Sequence, residues 1–421
     1  MNKVGRAVTI ALVGTGSRGR TYSRFAERYP DRARIVAVAD PRTERRDILA
    51  QRFGVGPERR YNDWWELAAQ GRIADAVVIA TPDHEHVAPA RRFAELGYHI
   101  LLEKPIAPTA AECVEVVDAV EKANVILAVC HVLRYTAYTD AVKRYVAEGR
   151  LGQIVGVQHL EPVGWWHFAH SYVRGNWRSL DGSGPTILTK CCHDLDWLRY
   201  VVGRPAVSVS SHGGLHHFTP ENRPAGAADR CLDCAVEPDC PYSATRLYLG
   251  CLGDERRERW PLSIVTIDAT EQGVRQALRE GPYGRCVYAC DNDVVDHQVV
   301  RIDFEGGVTA TLTMSAFTPG GHRRTQIMGT RGFLDGDGDS LTYTDFLTSA
   351  TESVDLTGGG PDAGGGHGGG DFGVVGAFVD AVAAGDATLI RSGARESLES
   401  HLMAFAAERS RATGTPQPVW E

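Results

Sequence analysis

The stretch Val8-Thr-Ile-Ala-Leu-Val-Gly14-Thr-Gly-Ser-Arg-Gly19 decides the fold of this chain. An apolar run of strand length leads directly into three glycines spaced as GxGxxG, and a helical pattern follows the last of them. Asp40 ends the next apolar run, 21 residues after Gly19. A strand, a glycine-rich turn, a helix and then an acidic residue form the dinucleotide-binding fingerprint. We therefore predict a dinucleotide-binding Rossmann domain, the alternative being a glycine-rich turn that binds no cofactor.

The residues of this turn have separate physical tasks. Gly14 permits the tight turn, Gly16 lets the backbone approach the pyrophosphate, and Gly19 permits close packing of the helix, whose N terminus stabilises phosphate charge. Asp40 would accept hydrogen bonds from the adenosine ribose and repel a 2′-phosphate, which favours NAD over NADP. NADP stays the alternative, because three nearby arginines could accommodate the phosphate: Arg18, Arg42 and Arg45.

Composition excludes several classes of protein. The chain has 421 residues, enough for about two to three domains, and its 43% hydrophobic and 23% charged residues are those of an ordinary globular protein. The net charge of −8 and the lack of a long basic run argue against a nucleic-acid partner. The N-terminal apolar run is too short for a signal peptide, and no apolar stretch is long enough for a membrane span. We expect a cytoplasmic protein whose ten cysteines are reduced thiols or metal ligands.

The order of apolar runs predicts an α/β protein with two domains. Strand-like and helical patterns alternate at first, which indicates a Rossmann domain with a parallel sheet over residues 1–135. Longer strand patterns then predict an α+β domain over 136–421, with a large, mostly antiparallel, open-faced sheet. Within it we expect a cysteine-rich insertion at about 205–290, a glycine-rich loop at 358–370 and closing helices at about 371–412.

Two further motifs follow predicted strands of the first domain. They are Val78-Ile-Ala-Thr-Pro-Asp-His-Glu-His86 and His99-Ile-Leu-Leu-Glu-Lys-Pro105. With the glycine turn, they resemble the glucose-fructose oxidoreductase, inositol dehydrogenase and rhizopine-catabolism (Gfo/Idh/MocA) family of sugar oxidoreductases. The resemblance implies a homodimer or homotetramer assembled through the open sheet face, and a cis bond before Pro105. It also implies that Lys104 lies beside the nicotinamide and the substrate hydroxyl.

Lys104 also has a physical case of its own, because the carboxyl ends of parallel strands face the ligand crevice of such sheets. Burial and a positive nicotinamide ring would lower its pKa towards that of a proton shuttle, whereas the alternative is a surface Lys paired with Glu103. The complete set of predicted cofactor-binding residues is Gly14, Thr15, Gly16, Ser17, Arg18, Gly19, Asp40, Thr81, Pro82, His86, Glu103 and Lys104.

The family's second signature, an Asp followed by His and Asp, corresponds here to Thr186-Ile-Leu-Thr-Lys-Cys-Cys-His-Asp-Leu-Asp196. His193 and Asp196 match, but Thr189 stands at the first Asp position and Lys190 follows it. The missing carboxylate is one that commonly orients substrate. Lys190 shares a helix face with His193, since they are three residues apart. We predict Lys104, His193 and Lys190 as catalytic residues.

An aromatic and basic stretch, residues 161–178, precedes this signature. Aromatic faces stack on pyranose rings, and Arg and His side chains fix their oxygens. The excess of cations predicts an anionic sugar, unless these cations pair with Asp181, Asp194 or Asp196. The predicted substrate-binding residues are Arg134, His167, His170, Arg174, Trp177, Arg178, Lys190 and His193.

Cysteines in the predicted insertion have metal-ligand spacing. Cys231-x2-Cys234-x5-Cys240 supplies three thiols. Ten residues separate Cys240 from Cys251, and Cys286 and Cys290 lie further along the chain. We predict a structural zinc ion bound by Cys231, Cys234, Cys240 and Cys251. A histidine is the alternative fourth ligand (His212, His216 or His217), and a set of thiols without metal is the alternative to the site.

Three functions remain open from the residues alone. The first is an NAD-dependent dehydrogenase that takes a hydride from a ring carbon of a sugar, with Lys104 and His193 handling the hydroxyl proton. The second is a redox-neutral NAD-dependent glycosidase, which oxidises carbon 3, eliminates, hydrates and reduces, acting on an anionic glycoside such as a sulfoquinovoside. The third is a dinucleotide sensor without turnover.

Overall fold

The computed structural model describes residues 6–357 and 367–420, in which two sheets form the framework. The first is a six-stranded parallel sheet of order β3-β2-β1-β4-β5-β6. Its strands are β1 Val8–Val13, β2 Ala33–Ala39, β3 Arg60–Tyr61, β4 Ala76–Ile79, β5 His99–Leu102 and β6 Leu127–Val129.

The first sheet forms because its strands are short apolar runs covered on both faces. All four residues of β4 are buried, as are nearly all of β1 and β5. The predicted Rossmann domain with a parallel sheet is confirmed. Strand β3 has only two residues and no apolar run in the sequence that predicts it. Strands β1 and β4 are parallel neighbours, so their carboxyl ends lie side by side at the same edge of the sheet.

The α-helices lie between and after these strands, and several are single turns around the second sheet. Their bounds are α1 Ser17–Arg28, α2 Thr43–Arg52, α3 Trp64–Ala68, α4 Val87–Glu95, α5 Ala110–Ala123, α6 Ala137–Ala147, α7 Trp165–Phe168, α8 Leu180–Ser183, α9 Thr186–Thr189, α10 Cys192–Val202, α11 Ala244–Leu249, α12 Glu255–Arg257, α13 Ser263–Val265, α14 Glu271–Glu280, α15 Gly370–Ala384 and α16 Ala394–Thr413. A search of the described part of the chain finds no helix with both the length and the apolar character needed to cross a membrane.

The second sheet has nine strands in the order β14-β13-β12-β11-β7-β10-β9-β8-β15. Only the pairing of β7 with β10 is parallel, which agrees with the predicted mostly antiparallel sheet. Its strands are β7 Ile154–Pro162, β8 Ala206–Gly214, β9 His297–Phe304, β10 Thr309–Ser315, β11 Arg324–Gly329, β12 Gly332–Gly336, β13 Ser340–Asp345, β14 Thr351–Asp355 and β15 Gln417–Pro418.

One face of this sheet is covered and the other is open. Buried and exposed residues alternate along β9 and β10, and helix α16 packs against β8 on the covered side. Val155, Val207 and Val299 stand exposed on three of the strands. The open face is the one that the sequence predicts.

The cysteine-rich insertion begins later than predicted, because residues 206–214 form strand β8 of the sheet. We use the name cysteine-rich insertion for residues 215–296, between β8 and β9. Its short helices enclose a small core of their own, which includes Tyr248, Val274 and Leu278. The insertion is therefore an appendage to the second sheet with its own apolar contacts.

The two closing helices pack in different places. Helix α15 contacts α1 and joins the core of the first sheet, where Phe372 meets Phe25 with their ring centroids 6.1 Å apart. Helix α16 contacts β8, α5 and α10 and so spans both sheets. Most of the predicted glycine-rich loop, residues 358–366, lies outside the described residues.

Candidate active site

The glycine turn has the shape that a dinucleotide needs. Gly14 has a φ of +88°, and a Cβ atom there would lie 2.4 Å from the Ala80 carbonyl oxygen. A Cβ atom at Gly19 would lie 2.0 Å from the Gly14 oxygen, so a side chain would fill the turn. Gly16 begins α1 without a side-chain cap, and thus leaves backbone N–H donors of that helix for an anion. The residues present therefore fit the pyrophosphate of a dinucleotide.

Asp40 is engaged by its neighbours in this structure. One oxygen accepts hydrogen bonds from the Thr15 backbone and hydroxyl at 2.7 and 2.8 Å, and Arg42 pairs with both oxygens at 3.0 and 3.1 Å. Burial alone would raise the pKa of Asp40, but the bonds from Arg42 and Thr15 outweigh it and lower this pKa. Asp40 is thus an ionised group that holds the glycine turn, and a ribose must share it with Arg42 or displace that exposed side chain.

Arg18 ties the glycine turn to the Glu-Lys-Pro motif. Its Nε atom donates to Glu103 at 2.6 Å, and its guanidinium also pairs with Asp371 of α15. The Tyr22 hydroxyl donates to the same Glu103 oxygen at 2.9 Å. Burial would raise the pKa of Glu103, but the charges of Arg18 and Lys104 lower it. Two of the predicted cofactor residues, Arg18 and Glu103, therefore position each other.

Thr81 and Pro82 lie partly or fully exposed at the carboxyl end of β4, beside this turn. His86 is completely buried behind them, and its ring nitrogens lie 2.7 Å from the Pro105 oxygen and 3.1 Å from the Thr81 oxygen. His86 thus joins the two turns that follow β4 and β5. The buried position of His86 indicates that it positions these two turns. Thr81 and Pro82 remain the candidates for contact with the cofactor.

Lys104 lies where the two sheets meet. The Lys104–Pro105 peptide bond is cis, and the Lys104 ammonium donates to the Thr189 backbone oxygen at 2.7 Å. The ammonium also lies 5.7 Å from the ring centroid of Trp177, whose indole N–H donates to Asp83 at 2.8 Å. Desolvation raises the pKa of Asp83. The structure therefore brings a lysine, an indole and a carboxyl group together at the ends of β4 and β5.

Lys190 and His193 follow Thr189 in the chain, so the bond to Thr189 places Lys104 beside this segment. The Lys190 ammonium lies 3.1 Å from a Glu161 oxygen. Arg323 lies between Glu161 and Asp194, at 2.7 Å from each. Burial would raise the pKa of Asp194, but Arg323 lowers it strongly. Two cations and two carboxylates thus form one neutral cluster.

His193 itself is buried in the first turn of α10, next to a second histidine. Its ring centroid lies 5.9 Å from that of His131, and the His131 Nε2 atom lies 3.6 Å from an Asp196 oxygen. Burial and the charges of Arg134 and Lys104 lower the pKa of His131. A row of titratable side chains therefore leads from His193 into the interior.

A cavity of about 360 Å³ adjoins this cluster. Its wall includes Glu161, Trp166, His167, Lys190, His322 and Arg323. Of the three predicted catalytic residues, Lys190 lines this cavity, whereas Lys104 and His193 do not. Burial and the charge of Lys190 lower the pKa of His167, which adds no charge to the wall.

Four predicted substrate-binding residues lie elsewhere, because each has bonds of its own in the fold. Arg134 is fully buried against Asp196, and Arg174 donates to two backbone oxygens of the cysteine-rich insertion. Arg178 pairs with the exposed Asp291. His170 is buried, and its Nδ1 atom is 2.8 Å from the Tyr248 hydroxyl. These positions correct the sequence-based assignment of Arg134, His170, Arg174 and Arg178 to the substrate pocket.

His170 leads to a prediction about acid stability. Burial, together with the charge of Arg174, lowers the pKa of His170 from 6.5 to about 3. Its contribution to stability is therefore complete above about pH 6.5, the unfolded value, and is lost as the pH falls towards 3. Between about pH 8 and about pH 5, we expect the unfolding free energy of the wild type to fall by about 2 kcal/mol more than that of His170→Phe. Urea unfolding at the two pH values measures this difference.

The control for this prediction is His84→Phe, because the His84 side chain is 60% exposed and its replacement should change the unfolding free energy little. An equal loss of stability in the wild type and in His170→Phe would show that His170 does not titrate on unfolding.

The predicted set of zinc ligands is altered by the structure. Cys231, Cys234, Cys240 and Cys286 line one small cavity of the cysteine-rich insertion, whereas the Cys251 thiol donates to the Leu247 oxygen. Within the described residues, no three potential ligands already stand close enough to hold a metal ion. Cys286 therefore takes the place of Cys251 in this group.

Sequence reasoning missed three residues of the site, Asp83, Glu161 and Arg323, and named Asp194 only as a possible partner of the cations. Asp83 lies within the Thr-Pro motif, where its position after a strand is a usable signal. Glu161 ends β7 directly before the aromatic stretch, which is a weaker one. Arg323 and Asp194 meet only through the fold, and nothing in the sequence around Arg323 indicates its place.

Comparison with known proteins gives two family models and several similar proteins. A model described as "Oxidoreductase family, NAD-binding Rossmann fold" matches residues 8–131, and "Oxidoreductase family, C-terminal alpha/beta domain" matches residues 143–419. A 2,7-anhydro-N-acetylneuraminate hydratase of Escherichia coli K12 is 26% identical over 276 residues, which cover 65% of this chain and 68% of that protein.

A levoglucosan dehydrogenase of Pseudarthrobacter phenanthrenivorans is 32% identical over 209 residues, which cover 47% of this chain and 51% of the relative. This chain therefore matches about half the length of that protein. An oxidoreductase of Agrobacterium radiobacter, solved with NAD+, L-tartaric acid and magnesium, has a TM-score of 0.71 at 18% identity, covering 98% of both chains. That likeness shows a shared fold.

Proposed function

This chain belongs to the Gfo/Idh/MocA family of oxidoreductases, and we propose that it is an NAD-dependent sugar dehydrogenase that acts on a ring CH–OH group. The observation that carries the proposal is the 2.7 Å bond from the Lys104 ammonium to the Thr189 oxygen. This bond joins the Glu-Lys-Pro turn of the cofactor sheet to the segment with Lys190 and His193. The bond therefore ties Lys104 to the segment that contains the other two predicted catalytic residues.

Lys104 is the residue that handles the hydroxyl proton in this proposal. In the oxidative direction, the neutral amine of Lys104 would keep one N–H on the Thr189 oxygen and would accept the hydroxyl proton on its lone pair as the hydride leaves. The Trp177 ring lies 5.7 Å from the Lys104 nitrogen, and the bond from its indole N–H to Asp83 holds that ring in place. His193, which is buried in the first turn of α10 on the segment that follows Thr189, is the second residue proposed to handle this proton. When bound, NAD supplies the hydride acceptor.

The substrate that this site favours is an uncharged sugar. Lys190 and Arg323 are balanced by Glu161 and Asp194, so the cluster carries no net charge. The cations that led us to expect an anionic sugar are engaged with carboxylates or backbone oxygens. The cavity of about 360 Å³ would hold the part of the sugar that lies away from the reacting carbon.

The experiment combines two signals in one cuvette. Purified protein with NAD is given neutral and anionic sugars and their nitrophenyl glycosides, while NADH and released nitrophenol are followed by absorbance. We expect NADH to accumulate with an uncharged sugar, and kcat/KM to be lower for the matching uronate. Silence in both signals across the panel would contradict the proposal and favour a dinucleotide sensor.

A redox-neutral glycosidase is the second candidate function. The similarity to a 2,7-anhydro-N-acetylneuraminate hydratase favours it, because a hydration is not a net oxidation. Lys190 would then serve as a second base, next to the cavity. Nitrophenol release without net NADH is the outcome that would establish this reaction.

The proposed preference for NAD over NADP depends on Asp40. We expect Asp40→Ser to lower the ratio of kcat/KM for NAD to that for NADP by about tenfold or more, because an ionised acceptor is lost and Arg42 is released towards a 2′-phosphate. Asp47→Ser, which removes a carboxylate paired with Arg46, is the control. An unchanged ratio in Asp40→Ser would contradict this role.

We also propose that the open face of the nine-stranded sheet joins two copies of the chain. Exposed Val155, Val207 and Val299 supply apolar contacts on this face. Light scattering after size exclusion should therefore give a mass of two or four chains, and Val299→Lys should shift it towards one. A single-chain mass for the wild type would contradict this assembly.

A further inference from the structure

Four thiols of the cysteine-rich insertion surround one small space. Cys231, Cys234, Cys240 and Cys286 line a cavity of about 20 Å³. A space of that size holds one water molecule or one ion. Cys231 and Cys286 are buried and the other two are half-buried, and all four are free thiols. No disulfide therefore accounts for the group.

The backbone brings these cysteines together from two distant segments. Arg230 and Arg285 form an isolated antiparallel bridge, and the Cys286 N–H donates to the Asp229 oxygen at 2.8 Å. These bonds fix Cys231 and Cys286 next to each other. Cys234 follows on the same 3-10 turn as Cys231, and Cys240 ends the next one.

Arg174 adds a positive charge that pairs with no carboxylate of the described residues. It is 1% exposed, and its Nη2 atom lies 3.6 Å from the Cys231 sulfur. Its Nη1 atom has no hydrogen-bond partner among the described residues. A buried guanidinium without a carboxylate is costly, unless an anionic group stands beside it. The cavity supplies the place for that group.

We propose that Cys231, Cys234, Cys240 and Cys286 bind one structural Zn²⁺ ion as thiolates, beside Arg174. Zinc prefers four tetrahedral sulfur ligands at about 2.3 Å. The side chains must turn inward to reach it, since no three ligands stand at metal distance in the described structure. Binding releases the thiol protons and leaves a centre of net charge −2, which the single positive charge of Arg174 offsets by half.

This zinc site goes beyond the proposed dehydrogenase activity and does not depend on it. Its effect on the active site would be indirect, through the short segment that runs from Arg174 to Trp177. Trp177 contacts Asp83 and lies over Lys104. The metal would therefore hold one wall of the active site from behind.

The test measures metal on the full chain. Protein purified without chelator is dialysed, and its zinc and iron contents are determined; a cobalt-loaded sample is examined for thiolate-to-metal and tetrahedral absorption bands. We expect one zinc per chain, little iron, tetrahedral cobalt bands, and a lower melting temperature after removal of zinc by a chelator.

Two single variants identify the ligands. Cys286→Ser should bind zinc at least tenfold more weakly, whereas Cys251→Ser, the matched control, should retain one zinc per chain. Wild-type protein without zinc or cobalt bands at micromolar metal would overturn the proposal, as would a Cys231–Cys234 disulfide found by mass spectrometry. Retention of zinc by Cys286→Ser with its loss in Cys251→Ser would overturn the ligand set. The wild-type measurements stand even where a variant fails to fold.

Discussion

Lys104→Met is expected to lower kcat about 1000-fold with the sugar that the panel identifies, because proton transfer by a positioned side chain contributes about 10²–10⁴-fold. Methionine keeps the length of the side chain but removes the donor to Thr189 and the group that holds the hydroxyl proton. The dissociation constant for NAD, measured by fluorescence, should change little. More than a tenth of the wild-type kcat in this variant would remove Lys104 from the mechanism.

Lys143 offers a closely matched control. Its ammonium also donates to a backbone oxygen, that of Tyr200 at 3.0 Å, and lies 4.6 Å from an aromatic ring centroid. Lys143→Met should therefore keep its kcat. Lys104→Arg separates charge from proton transfer, because a guanidinium stays protonated. It should be as inactive as Lys104→Met.

Arg134→Met is expected to lower the free energy of unfolding by about 3–5 kcal/mol, because it leaves a buried carboxylate without its partner. Arg134 donates to both oxygens of Asp196 at 2.7 and 2.8 Å, and both side chains are fully buried. Urea unfolding measures the loss. The KM of the remaining folded enzyme should be close to that of the wild type.

The exposed pair of Arg395 and Glu121 is the control for this prediction. Arg395→Met should change the unfolding free energy by less than about 1 kcal/mol, since exposed ion pairs contribute little. A stable Arg134→Met protein with a strongly raised KM would instead return Arg134 to the substrate pocket that the sequence suggested.

The sequence predicts the first sheet well because its signals are local. The apolar runs Val8–Val13 and His99–Leu102 are strands with those same bounds, and the glycine turn follows the first of them. Lys104 could be placed at a crevice for the same reason, since the end of a parallel strand is visible in the chain. The short strands after β11 have weaker periodic patterns and were not predicted.

From the sequence, Asp194 and Asp196 are possible partners of the cations, but which cation each of them binds could not be predicted, because the partners come from distant parts of the chain. Arg134 and Asp196 are 62 residues apart, and Arg323 and Asp194 are 129 residues apart. The aromatic and basic stretch therefore looked like a cationic pocket, although the fold uses Arg174 and Arg178 elsewhere. For the same reason, the sequence predicts Cys251 as the fourth zinc ligand, because Cys251 is nearer to the other three cysteines in sequence than Cys286 is.

Helix α15 has a consequence for the order in which the protein can be completed during synthesis. The last strand of the first sheet ends at Val129, and α15 begins at Gly370, about 240 residues later. Until then, Phe25 and the apolar surface around it lack the helix that covers them. Asp371, which pairs with Arg18 in the glycine turn, arrives on the same helix. The strands of the first sheet are therefore synthesised early, but the glycine turn gains the contact between Arg18 and Asp371 only near the end of translation.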